Sequence, residues 1–456
     1  MARFSLREIF RRKEGSHVDA LDGVRALCVL WVTAYHAWFF RCGFYDEQCG
    51  PGYTEEPFSV SIFGALVGRG DLAVDVFFAL SGYLIFRILQ SSLMREELPL
   101  RRKLARFTAR RFLRIYPALA FAIPLHVLIF YFIPFPGAPT GIDNAIVSGC
   151  ASYPWANFAL LGNWTALGGP SVQFEDGRLG CLPWTWSVSM EAQFYLLSPL
   201  LALYYMWARA RARQHGDPVR WWTGSMLPLA LIGVSLLAQL SISLYFDLQA
   251  APVRSADGES WVWERAETYM TWIYGNSLTR VVPFLLGVAA AAYRWHTDSE
   301  GPQLPEGSGS DRRMRIGGRV AAGVAFIFLM LGALPITQWR GLNLFLLLAG
   351  RAIFGCVTAL VLAIGAAPHA GQIWWVRLLR HPFWAPVARL SYSMYLWQFV
   401  GIEVARWLVE TLGTRPDRDL GSLLAFVTLG IGISFAIAIP CYLFVEKQGM
   451  DYRPAL

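Results

Sequence analysis

About ten apolar runs of bilayer-crossing length recur along this chain, and they leave it few ways to fold. They lie near Val24 to Phe40, Leu72 to Leu89, Ile115 to Phe135, Trp184 to Trp207, Met226 to Phe246, Met270 to Tyr293, Val320 to Ile336, Leu342 to Ala367, Val387 to Leu408 and Leu423 to Val445. A helix of about 20 apolar residues spans the hydrocarbon core. With 55% hydrophobic and 16% charged residues, the chain is also too apolar for an ordinary soluble domain. The expected fold is all-α: a polytopic transmembrane helix bundle with an internal polar cavity, forming a single domain over residues 1–456. Pro57 to Gly68 adds a short or re-entrant piece, and the Gly-, Ser- and Pro-rich stretch His296 to Arg319 is a flexible linker.

The net charge of +8 does not point to nucleic acid, because the basic residues fall in short loops between spans. Arg101 to Arg114, Ala208 to Arg213 and Arg312 to Arg319 come out on the cytoplasmic side if the N-terminus does. The loops holding Asp46, Glu47, Glu55 and Glu56, and Asp257, Glu259, Glu264 and Glu267, then lie outside, and both termini are cytoplasmic. The basic segment Met1 to Glu14 is followed by no small-residue cleavage site, so the first span is expected to be retained in a plasma or inner membrane. Cys42, Cys49, Cys150 and Cys181 share the external face, where pairs Cys42/Cys49 and Cys150/Cys181 are the favoured arrangement of three. Cys28, Cys356 and Cys441 lie in spans as packing residues.

The longest inter-span segment, Pro136 to Pro183, has no room for a soluble catalytic domain. Chemistry therefore belongs at or within the membrane. The chain lacks a phosphate-binding P-loop, a GxGxxG fingerprint, an HExxH zinc helix and a GxSxG elbow, and no metal is expected.

What remains is a set of ionisable residues inside spans. Arg25 and His36 stand eleven positions apart in the first, about three helical turns, so both fall near one face. Such residues in a membrane helix are costly and mark function by default; the alternative is an arginine snorkelling to head groups and a histidine bonded to a carbonyl. Glu191, amid the aromatic residues opening the fourth span, is expected in the outer half with His36. Facing His36 it orients and stabilises the imidazolium of a general base; the alternative is a structural pair between helices. Arg110, Arg111 and Arg114 guard the cytoplasmic mouth of the third span, where guanidinium groups suit phosphates or, alternatively, anionic lipid.

Five segments then resemble one family in order and over nearly the whole chain. They are Leu21 to His36, Asp75 to Ile85, Arg111 to Pro117, Trp186 to Tyr195 and Leu390 to Trp397, and together they are similar to the membrane acyltransferase-3 family. The resemblance implies an enzyme that moves an acyl group, usually acetyl from cytoplasmic acetyl-CoA, to a hydroxyl of a glycan or related acceptor. It gives Arg25 and His36 the family's essential Arg/His pair, Arg111 and Arg114 its arginine pair, and Glu191 its motif glutamate. Its partners are membrane lipid, acyl-CoA and the acceptor. The chain departs at Gln398, where many members carry histidine, and at Ala192, where a second acidic residue is common. No hydrolase-like domain is expected after the last span.

The mechanism expected has Arg111 and Arg114 holding the nucleotide end of acyl-CoA, Arg25 beside the pantetheine arm, and His36 deprotonating the acceptor, with Glu191 in direct or one-water reach; direct transfer and a covalent acyl-enzyme step are both open. The rival is a secondary transporter or lipid-handling carrier relaying protons through His36, Glu191 and Asp75, but the chain lacks the internal repeat that would favour it. Several tempting residues take architectural roles: His126 and Ser81 as packing residues, Asp75 paired with Arg69, and Asp19 and Asp22 at the inner face. Asn163, Trp164 and Thr165 fit an N-glycosylation acceptor on an external loop in a eukaryotic source.

Overall fold

The structure, a computed structural model, describes residues 7–10, 19–39, 66–95, 98–133, 142–164, 180–220, 222–248, 268–299, 316–320, 323–324, 340–414 and 420–452. Among them there is no strand. The long helices are α1 (Asp19–Phe39), α2 (Leu72–Leu93), α3 (Leu100–Phe132), α4 (Trp186–Gln214), α5 (Met226–Tyr245), α6 (Ser277–Ser299), α7 (Arg340–Gly365), α8 (Trp384–Thr411) and α9 (Leu420–Cys441). They coincide with all the expected spans except Val320 to Ile336, which lies mostly outside the described residues, as do Cys42, Cys49 and most of Pro57 to Gly68.

Among the described residues, 5 helices are long and apolar enough to cross a membrane: Leu72–Leu93, Leu100–Phe132, Met226–Tyr245, Leu347–Gly365 and Leu420–Asp451. The helices that fall short of this measure, α1, α4, α6 and α8, carry Arg25 and His36, Glu191, Arg280, and Glu403 with Arg406. Intramembrane polarity of this kind faces the bundle interior, and Arg280, Glu403 and Arg406 are all at most 3% exposed.

Two packing groups share the bundle. α8 lies along α9 and α1, while α6 lies along α2, α7 and α5; α1 and α4 each pack against α2. The α2–α6 crossing is close because glycines meet backbone there. A Cβ on Gly287 would run into the Ala79 carbonyl oxygen, and one on Gly82 into that of Phe284. Small residues at a crossing let helix backbones approach where water-driven burial is absent. Gly287→Val should therefore lower thermal stability by about 1–3 kcal/mol or more, as overpacking does. Gly233→Val, in open space on α5, should not. Thermal unfolding of both variants in detergent checks this, and equal midpoints would refute the packing argument.

Two local corrections bear on the site. The basic stretch from Arg101 to Arg114 is the first half of α3 rather than a loop, since Arg, Lys, Leu and Ala are good helix formers and the extended Pro99 precedes the first turn. At 33 residues α3 is roughly 50 Å long, more than a bilayer core, so its basic turns can project past the apolar zone. Asn163 is 4% exposed and its amide donates to Gly275 O and Ser277 Oγ, both at 3.2 Å, so the glycosylation motif holds a buried structural asparagine. Cys150 and Cys181 are bonded as expected.

Candidate active site

Helix periodicity places Arg25 and His36 on α1 roughly 16 Å apart along its axis. His36 faces α8, where its Nδ1 lies 3.0 Å from Gln398 Oε1. The Gln398 amide group donates to Tyr395 O at 3.0 Å, which turns its oxygen toward the histidine. An oxygen there accepts, so Nδ1 is the donor in this contact. The His36 ring also sits 5.1 Å from Phe399, itself stacked on Trp184 at 4.1 Å.

Glu191 takes a different position from the one expected. Its Oε1 accepts from Ser81 Oγ of α2 and from Tyr195 OH one turn along α4, each at 2.6 Å. It lies in electrostatic reach of Arg25 and Arg111, and Arg114 also acts on it. Depth in the membrane alone suggested a contact with His36, but the rotation of α4 turns Glu191 and Tyr195, four residues apart, toward α2 and α3. Glu191 thus belongs to the arginine group and Gln398 to the histidine. Ser81 is likewise more than a packing residue, since Gly82 makes the close crossing and the Ser81 hydroxyl is committed to Glu191.

The arginines divide by depth. Arg111 lines a cleft of about 160 Å³ between the C-terminal end of α2 and the basic half of α3, with Ile88, Ser92, Arg95, Lys103, Arg106 and Arg110. Lys103, Arg106, Arg110 and Arg111 follow helical spacing on one face, a signal present in the sequence. Arg111 also reaches inward, its guanidinium 6.0 Å from the Tyr195 ring centroid. Arg114 stands one turn deeper, in the field of Glu191 and of Glu446.

Glu446 was missed from sequence. It closes the π-helical turn Tyr442–Glu446, is 3% exposed, and accepts from Ser393 Oγ at 2.6 Å. The signal was there: a carboxylate at the end of an apolar run, and Ser393 within the Leu390 to Trp397 segment. Asp75 pairs not with Arg69 but with Arg280 at 2.9 Å and Arg351 at 2.5 Å, while Arg69 reaches Asp71 at 3.9 Å. His126 packs as expected, its Nδ1 bonded to Ala122 O at 2.8 Å and its ring stacked on Trp397. Asp22 pairs with Arg25 at 3.4 Å.

The family model described as an acyltransferase domain, acyltransferase-3, matches residues 18–443. The chain belongs to the acyltransferase-3 family. Membership supports an acyltransferase rather than a carrier. Among similar proteins, the peptidoglycan O-acetyltransferase OatA of Listeria monocytogenes is 24% identical over 439 residues, covering 95% of this chain and 56% of the relative. The regulator of hypoxia-inducible factor 1 of Caenorhabditis elegans is 24% identical over 464 residues, covering 97% and 81%. The O-acetyltransferase OatA of Staphylococcus aureus is 27% identical over 190 residues, covering 42% and 25%. The chain thus spans little more than half the length of the Listeria protein. No solved structure matches it.

Proposed function

We propose that this acyltransferase-3 member is a ten-span O-acyltransferase that moves an acetyl group from cytoplasmic acyl-CoA to a hydroxyl of a glycan or related acceptor on the other side of the membrane. One observation carries the reading: Arg111 belongs both to a basic cleft at one end of the bundle and, through Tyr195, to the buried group around Glu191. A donor with a charged nucleotide and a long uncharged arm needs this continuity. The phosphates stay at the mouth, on guanidinium groups that bind them bidentately, while the thioester reaches the interior. The acceptor-family names of the bacterial relatives favour transfer to oxygen.

His36 is the base in this scheme. Its Nε2 takes the acceptor hydroxyl proton as the oxygen attacks the thioester carbonyl carbon; the carbon–sulfur bond then breaks and the proton passes to the leaving thiolate. Gln398 holds the ring in the required tautomer. Arg25 and Arg114, with Glu191 and Glu446 as counter-charges, fix the polar path between the cleft and the base.

The test compares donors in nanodiscs. Arg111→Ala should raise the KM for acetyl-CoA by about tenfold or more, the worth of one charge-assisted hydrogen bond, and should barely move that for acetyl-pantetheine, which lacks the nucleotide phosphates. Equal losses for both donors would remove the phosphate role. No acceptor-dependent thiol release from acetyl-CoA by the parent protein would overturn the proposed function.

A further inference from the structure

At the end of α2 opposite the basic cleft, charged side chains from several elements meet with their numbers unbalanced. Arg351 of α7 reaches Asp75 Oδ2 at 2.5 Å and Asp71 Oδ2 at 2.6 Å, Arg280 of α6 lies 2.9 Å from Asp75 Oδ1, and Arg69 lies 3.9 Å from Asp71. Among the described residues three guanidinium groups, that of Arg69 partly exposed, thus share two carboxylates, leaving one positive charge in excess.

Arg280 is the group least provided for. It is 2% exposed, and although its Nη1 faces Asp75 Oδ1 as an ion pair, its Nε and Nη2 have no hydrogen-bond acceptor among the described residues. Its Cζ sits among aromatic rings, 4.6 Å from the centroid of Tyr274, 5.7 Å from Trp186 and 5.9 Å from Phe78. Those contacts satisfy the faces of the guanidinium but not its edge, which carries five N–H donors. Buried donors without acceptors are costly. Tyr274 comes from the π-helical turn Met270–Tyr274, a geometry concentrated at functional sites. The group also adjoins the base. Tyr35, whose ring lies 5.4 Å from that of His36, is in electrostatic reach of Asp71 and Arg351.

We propose that Arg280 and Arg351, with Tyr274 and Trp186, form the acceptor site, and that it takes a saccharide carrying one carboxylate. This rests on the acyl-transfer reading above. The carboxylate accepts from the edge of Arg280 and neutralises the excess charge, while a hydroxyl of the same sugar is presented toward His36. A neutral sugar satisfies some donors but leaves the charge unbalanced, so a carboxylated acceptor is preferred.

Two readouts on the full chain in nanodiscs test this, using methyl glucuronide and methyl glucoside, which are matched except for the carboxylate, with acetate as a plain anion. Methyl glucuronide should raise the thermal midpoint, and methyl glucoside and acetate at the same concentration should not. Arg280→Gln should unfold cooperatively without the glucuronide shift, and Arg280→Lys should retain part of it, because lysine keeps the charge but not the fork. As acceptors in thiol release from acetyl-CoA, the glucuronide should have a KM about tenfold below that of the glucoside, the size of one charged hydrogen bond. Equal midpoints with the two sugars, an acetate shift as large as the glucuronide shift, or a full shift in Arg280→Gln each overturns the site. Should Arg280→Gln fail to fold, the comparison of ligands on the parent protein still decides. Thiol release without preference sinks this inference alone, whereas a glucuronide shift with no thiol release for any acceptor sinks the acyl-transfer reading and leaves a carboxylated-sugar site.

Discussion

His36→Ala should lower acetyl transfer by about 10³-fold, within the range that a positioned general base contributes, while the protein still unfolds cooperatively in detergent. The loss is chemical rather than structural: the imidazole projects from α1 toward α8, and its removal leaves the turns around Val32 and Ala37 packed. Gln398 supplies an internal comparison. Gln398→Leu removes the oxygen that fixes the Nδ1 proton but leaves the base, so a loss of about tenfold is expected, the scale of one hydrogen bond. Steady-state rates with saturating acetyl-CoA measure both. A His36→Ala enzyme turning over near the parental rate would end the general-base role, and a Gln398→Leu loss equal to that of His36→Ala would show that the glutamine does more than orient the ring.

Glu191→Gln should cost about 10²-fold in kcat/KM, some 3 kcal/mol, as losing one partner of a buried charge group does. Glutamine keeps an oxygen for the Ser81 and Tyr195 hydroxyls, so the two hydrogen bonds at 2.6 Å have a replacement acceptor. What it removes is the negative charge between Arg25, Arg111 and Arg114, leaving Asp22 to hold Arg25 and Glu446 to hold Arg114. Because the arginines lead from the cleft into the core, the KM for acetyl-CoA should rise along with the fall in kcat. Tyr195→Phe, which keeps every charge, should cost far less. A silent Glu191→Gln variant would reduce Glu191 to a hydrogen-bond acceptor, and a lost rate with unchanged donor KM would separate it from the arginine group.

Other parts of the fold show how far local sequence reaches. The apolar runs located the long helices because an uninterrupted hydrophobic stretch has one low-energy answer in lipid, a helix that satisfies its own backbone. Hydropathy places the start of α3 too late because a run of charge reads as loop, whereas arginine and lysine are helix formers wherever nothing stops them. Hydropathy likewise understates α1, α4, α6 and α8, since their charges are placed against one another inside the bundle.

The candidate site divides along the same line. Arg25, His36, Arg111, Arg114 and Glu191 were legible in sequence as ionisable residues inside or beside apolar spans, because the cost of placing such groups there is a property of each residue alone. The partners were not. Whether Glu191 meets His36 or the arginines depends on the rotation of α4 about its axis, and that rotation is set by packing against α2 and α3. Gln398 reaches His36 across 362 positions of chain, Glu446 reaches Ser393 across 53, and Arg351 reaches Asp75 across 276. The sequence by itself determined which side chains must find partners in the membrane. Only the tertiary structure decided which partners they find, because hydrogen bonds and ion pairs act over a few ångströms and a helix offers its neighbours one face at a time.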